Sequence, residues 1–273
     1  MTIALDFLDI LHRCNDRVPF PAVRALHLPP PGAEGKTAEF CAVELEDGAL
    51  GLSYVLLGDT LAELHAGAPG LSGKSALEVA GWYADGTGVQ RTLGFAAINA
   101  LTRSLFDRAG LVPPASTDSI GQLDPRPEDE VGMIGLFHPL VAPIVATGAC
   151  LTVVELRPDL AGEREGWRVT LDPAELGHCN KVLATSTVLL NDTLDAILGY
   201  CRGAAVIAMI GPGAACLPDP LFAKGITMMG GSWISDREGF IAALAAGESW
   251  SRHAFKFALT PEAYPGWEAL TGK

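Results

Sequence analysis

The stretch VGMIGLFHPLVAPIVATGACLTVVEL, residues 131–156, decides the fold. Apolar VGMI at 131–134 runs into a turn at Gly135, Pro139 suits the first turn of a helix over 139–147, and LTVVEL at 151–156 returns to strand. Short apolar strands flanking a helix form the repeating unit of a parallel sheet covered on both faces. Downstream the alternation continues, with strands at 181–185, 204–210 and 226–229 and helices at 192–201 and 237–246. The chain from 121 to 273 is therefore expected to form a Rossmann-like, doubly wound, mainly parallel α/β domain.

Upstream, residues 111–130 turn to Pro, Ser, Asp and Glu, with Pro113, Pro114, Pro125 and Pro127 opposing regular structure, which places a domain boundary there. Residues 1–120 read as a smaller α+β domain. It begins with a helix over 4–14 and a strand over 23–28, and continues with strands over 39–45 and 50–57 about the hairpin signal Asp47-Gly48. Helices over 75–83 and 92–109 follow, the second carrying Leu93, Ala96, Ala97, Ala100, Leu101 and Leu105 on one face and closed by Gly110.

Composition narrows the function. A formal net charge of −13 with no local Lys/Arg cluster repels phosphate backbones and anionic head groups, so neither nucleic acid nor membrane is an expected partner. No apolar run approaches the roughly 20 residues of a membrane helix, and the start lacks the pattern of an export signal. Six cysteines without a CxxC pair read as reduced thiols of a cytoplasmic protein. A hydrophobic content of 49% suits self-association as a homodimer.

Chemistry-bearing residues gather at the predicted strand tips. Gly132 and Gly135 frame the first strand-to-helix turn and Glu155 ends the next strand, half of a dinucleotide fingerprint. The pattern is G-x-x-G rather than G-x-G-x-x-G, so a ligand smaller than a pyrophosphate is expected, and the same glycines would also serve a tight turn alone. Ala184-Thr185-Ser186-Thr187 and Asn191-Asp192-Thr193 bring hydroxyls and an amide to the third tip, beyond what helix capping requires. Gly211-Pro212-Gly213 opens a rigid loop at the fourth. Of His138, Cys150, Glu155, His178, Cys179 and Cys216, only His138 and Cys216 lie on loops expected at the strand tips, making them the candidate ligands for a divalent transition metal.

The segments at 131–141, 153–156, ATSTVLLNDTLDAIL at 184–198 and GPGAACLPDPLFAKGITMMGG at 211–231 together resemble the bacterial and archaeal heavy-metal chelation domain family, whose biochemical role is unassigned. In that family a Rossmann-like domain follows a smaller domain similar to the enolase N-terminal domain, which LGFAAINA at 93–100 and the preceding hairpin resemble. The sequence departs from the family pattern at Ser186, where glycine is usual, and at Gly213-Ala214, where a hydroxyl residue often follows Gly-Pro. The resemblance implies a pocket between the domains, lined by Gly135, His138, Glu155, Thr185, Thr187, Asn191, Gly211, Pro212 and Asp219, with Asn99 approaching from the first domain. Glu155 and Asp219 would favour a cationic or metal-bound ligand.

Three functions fit these readings. The favoured one is a small-ligand-binding protein or enzyme using the interdomain cleft, its ligand a metallophore, nucleoside-like or pterin-like compound. Heavy-metal chelation or metal chaperoning is the second, and a non-catalytic partner-binding subunit the third.

Overall fold

A computed structural model of the chain describes residues 2–33, 35–118, 120 and 122–272. Gly121, with which the second domain was expected to begin, lies outside them.

The first half contains α1 (Ile3–Arg17), β1 (Val23–His27), β2 (Phe40–Leu45), β3 (Leu50–Tyr54), α2 (Thr60–Gly67), α3 (Ala76–Asp85) and α4 (Val89–Arg108). Its three strands form an antiparallel sheet in the order β1-β2-β3. Every residue of β2 is buried, because the sheet is covered twice. Cys41, Val43 and Leu45 join the main core with α4, while Phe40 and Ala42, on alternate positions, join a separate cluster with Phe240 and Leu244 from the far end of the chain. Helix α4 is buried almost all round, not on the single face expected from its sequence, because α3 and the sheet flank it while the second half also packs on it.

The second half contains β4 (Glu130–Ile134), α5 (His138–Val145), β5 (Cys150–Val154), β6 (Gly162–Arg164), β7 (Trp167–Thr170), β8 (Lys181–Thr185), α6 (Leu194–Leu198), β9 (Val206–Ile210), α7 (Pro218–Ala223), β10 (Met228–Gly230), β11 (Ser232–Ile234), α8 (Arg237–Ala246), β12 (Ala254–Lys256) and α9 (Trp267–Leu270). Seven of these strands form one sheet in the order β10-β9-β8-β4-β5-β7-β6, parallel throughout except for β6 at one edge. The expected parallel α/β architecture is thus the observed one. The sequence reading passed over β6 and β7, which join β5 to β8 where a bare connection was expected. It also passed over the β11–β12 ribbon.

The chain leaves β4 toward β5 and β7, then crosses back to lay β8 on the other side of β4. Connections therefore diverge between β4 and β8, and open α/β sheets bind ligands at the carboxyl ends of strands at such a switch point. The largest core cluster joins α1, β2, α3 and α4 to residues of β8, β9, α7 and α9, so the two sheets share one apolar interior. Among the described residues, no helix is long and apolar enough to cross a membrane.

Candidate functional site

At the divergence, three loops meet. Gly135 (φ 78°) turns the chain out of β4, and a Cβ added there would lie 2.9 Å from Cγ2 of Thr185 at the tip of β8. Gly211 (φ 134°) leaves β9 against Ser186, and a Cβ there would lie 2.5 Å from the Ser186 hydroxyl oxygen. Glycine is needed at both positions for backbone conformation and for space. The loop after β9 also touches the first half: Asn99 of α4 donates from Nδ2 to the Leu52 carbonyl (2.6 Å) and to the Gly213 carbonyl (3.3 Å).

Hydrogen bonds decide which polar groups are free for a ligand. The amide of Leu136 donates to Glu155 Oε1 at 2.7 Å and that of Leu156 to Oε2 at 3.0 Å, while the Phe137 amide faces Met133 Sδ at 3.4 Å. An internal carboxylate thus takes the amide that a nucleotide phosphate would use in a Rossmann turn. Thr185 Oγ1 caps the short helical turn that follows by accepting from the Thr187 amide at 3.3 Å, and it donates to Thr187 Oγ1 at 3.1 Å, which leaves the Thr187 hydroxyl hydrogen for another acceptor. His138, the first residue of α5, is exposed.

The sequence-predicted residues separate into four places. Gly135, His138, Glu155, Thr185, Thr187, Gly211 and Pro212 lie at or just beyond the tips of β4, β5, β8 and β9. Asn99 and Cys216 line a small cavity of about 20 Å³ between α4, β3 and the loop after β9, together with Thr102, Arg103, Phe106 and Trp233. That volume holds about one water-sized group, and the enclosed Asn99 Oδ1, which has no hydrogen-bond partner among the described residues, lies at this junction. Asn191 caps its own turn, accepting from Thr193 Oγ1 at 2.6 Å, and lines a larger cleft of about 380 Å³ with Arg91 and Asp192. Asp219 is turned toward the end of the chain, accepting from Tyr264 Oη at 2.6 Å and from the Trp267 amide at 3.1 Å. Burial holds its carboxyl above the ordinary value even though both of these bonds pull it down.

The two carboxylates expected to attract a cation are therefore both engaged in internal bonds. Cys216 is 1% exposed, and its burial pushes the thiol well above the ordinary range, which opposes the thiolate form that ligates metals. Among the described residues, no three His, Cys, Asp or Glu side chains are grouped to hold a metal ion. The described residues thus offer no preformed cluster of protein ligands for a bare ion. Arg91, which sequence reasoning missed, lies two residues into an apolar helix and carried no pattern to mark it.

The two positions that depart from the expected family pattern are spatial neighbours: a Cβ at Gly213 would lie 3.3 Å from Ser186 Oγ. The hydroxyl absent at 213 is matched by one contributed from the neighbouring loop after β8.

Comparison with known proteins places this geometry among relatives. Residues 37–102 match a family model described as "Putative heavy-metal chelation". An uncharacterised protein of Methanocaldococcus jannaschii is 30% identical over 152 residues, which take in 54% of this chain and 56% of the relative, so the chain spans little more than half the length of that curated relative. A crystal structure of a protein with unknown function from Pyrococcus horikoshii superposes with a TM-score of 0.70 at 21% identity, covering 93% of this chain and 99% of that one. A second, from Desulfitobacterium hafniense, gives 0.65 at 19% identity over 93% and 98%. At such identities these two structures establish a shared fold. A second family model with the same description matches residues 118–260, more than half of the sequence, and the chain accordingly belongs to the family described as "Putative heavy-metal chelation".

Proposed function

We propose that the chain is a small-ligand-binding protein whose ligand, an organic compound of metallophore, nucleoside-like or pterin-like kind, occupies the crevice where β4 and β8 diverge. The observation that carries this reading is the reversal of strand order at β4, which brings the Gly135 turn, the Thr185-Ser186-Thr187 hydroxyls and the Gly211-Pro212 loop to one place at the strand tips. Occupation of the Leu136 amide by Glu155 argues against a dinucleotide phosphate and for a ligand recognised through hydroxyls and backbone.

Heavy-metal handling is the second reading. The family description and the exposed His138 at the crevice support it, with the metal as cargo inside a chelate and His138 supplying one further ligand.

Native mass spectrometry of protein purified from its own source without chelator, with elemental analysis of the same sample, tests both. A metal-free organic adduct lost on Thr187→Val would support the first reading. Stoichiometric metal lost on His138→Ala would support the second. Neither adduct nor metal in any preparation would overturn both in favour of a partner-binding subunit.

The same reading takes the protein to be a cytoplasmic homodimer, built from an enolase N-terminal-like domain over 1–120 and the ligand-binding domain over 121–273. Light scattering that returned a monomer mass at working concentration would refute the dimer.

A further inference from the structure

The larger cleft, about 380 Å³ between the turn joining α3 to α4 and the loop that leads from β8 to α6, uses residues distinct from the strand-tip crevice, so either site can fail without the other. It is walled by Gly86-Thr87-Gly88 and Asp85 on one side and by Leu190-Asn191-Asp192 on the other. Its size is that of a small-molecule pocket.

Arg91 is the single cation among its lining residues. The side chain is only 14% exposed, and its guanidinium lies 5.6 Å from the centroid of the buried Tyr83 ring, whose hydroxyl donates to the Leu189 carbonyl. The guanidinium is thus seated on a ring that is itself tied to the opposite wall. Its Nη1 pairs with the Asp192 carboxylate, while Nε is enclosed and has no hydrogen-bond partner among the described residues. A guanidinium fork matches a carboxylate through two parallel N–H groups, and one edge of this fork is unused. Asp192 is the looser member of the pair: its side chain is 72% exposed, and its backbone is left-handed at φ 59°.

Charge selects the ligand. The cleft holds one guanidinium and two carboxylates, Asp85 and Asp192. A bare anion displacing Asp192 would leave both carboxylates uncompensated in a partly enclosed space, whereas a ligand with an ammonium beside its carboxylate leaves the balance unchanged. We propose that this cleft binds a small amino-carboxylate zwitterion of the α-amino-acid type. Its carboxylate takes the Nε/Nη edge of Arg91 in place of Asp192. Its ammonium is received by the released Asp192 and by Asp85, with Asn191 adding a polar contact at the edge.

Isothermal titration calorimetry of the full chain tests this with a panel of L-amino acids, each paired with its deaminated carboxylate, and with inorganic phosphate. At least one amino acid should bind saturably below about 1 mM, with its deaminated partner and phosphate weaker by at least about tenfold. Arg91→Lys keeps the charge but loses the fork and should weaken that amino acid by at least about tenfold. Asp192→Asn, at an exposed position that does not threaten folding, should shrink the preference for the amino acid over its deaminated partner. Thr187→Val, which reports on the crevice, should leave these isotherms unchanged. No saturable binding by any panel member up to about 10 mM would overturn the proposal. So would equal binding of a deaminated partner, or isotherms unchanged in both Arg91→Lys and Asp192→Asn.

Discussion

Ser186 and Gly213 meet where the loops after β8 and β9 come together, close enough that neither position is free to change alone. Ser186 is 6% exposed, so Gly213→Ser places a second hydroxymethyl group against it, and Ser186→Gly leaves a void. Each single change should destabilise the protein, and the double change should cost less than the sum by about 1 kcal/mol in a denaturant double-mutant cycle. Strict additivity would show that the contact carries no energy.

Glu44 on β2 shows the same dependence on distant partners. It is 2% exposed, receives Nε2 of His27 at 2.8 Å and Nε of Arg237 at 2.9 Å, and has Arg24 Nε at 3.5 Å. Burial raises its carboxyl, but the hydrogen bond from His27 and then the Arg237 pair outweigh this and hold it below the ordinary value. A carboxyl depressed in the folded state contributes stability that is complete above its unfolded value and is lost as pH falls through the folded one. Glu44→Gln should therefore cost about 2 kcal/mol near neutrality, less than for a fully buried pair because both arginines are part-exposed, and the difference should narrow as acid approaches the carboxylate range. At this scale the sequence was least informative. It marked Glu155 and Asp219 as carboxylates at strand tips but held no sign that backbone amides and Tyr264 would claim them.

Helix α4 shows what elements add. It presses so closely on β3 that a Cβ at Gly51 would fall 2.0 Å from the Ala100 nitrogen and 2.1 Å from the Ala96 oxygen. No rotamer relieves a clash between backbones, so Gly51→Ala should force the helix off the sheet and cost about 3 kcal/mol or more, read as a lowered melting temperature. A melting temperature within a degree or so of the parent would mean that the helix rides further from the strand. Strands β4, β5, β8 and β9 and helices α1, α4 and α8 were legible because their apolar runs or periods are long enough to stand alone. The β6–β7 pair was not: Gly162–Arg164 is wholly exposed, and only its pairing with Trp167–Thr170 makes it a strand. The same holds for β11 and β12, three residues each.

For the molecule as a whole, the core cluster shared by the two halves predicts how it comes apart. The main core draws on both sides of the boundary read from Pro113 to Pro127, so unfolding in denaturant should be one transition, coincident by far-ultraviolet dichroism and tryptophan fluorescence. Two resolved transitions, or a folded fragment 1–120, would contradict this. The parallel sheet and the smaller α+β half were readable in the sequence, because each rests on local pattern. The strand-tip loops were readable from the α/β pattern, whereas their joint pocket came through family likeness, which is why Asn191 and Asp219 were grouped with residues from which the fold separates them.

Phe240 and Leu244 of α8 cover the face of the first sheet opposite α4. During synthesis that face, with Phe40, Ala42, Leu50 and Leu52, emerges long before the helix that shields it. The nascent chain must carry an apolar sheet surface through most of its own translation, a window in which a ribosome-associated chaperone would find its binding site and after which it would lose it.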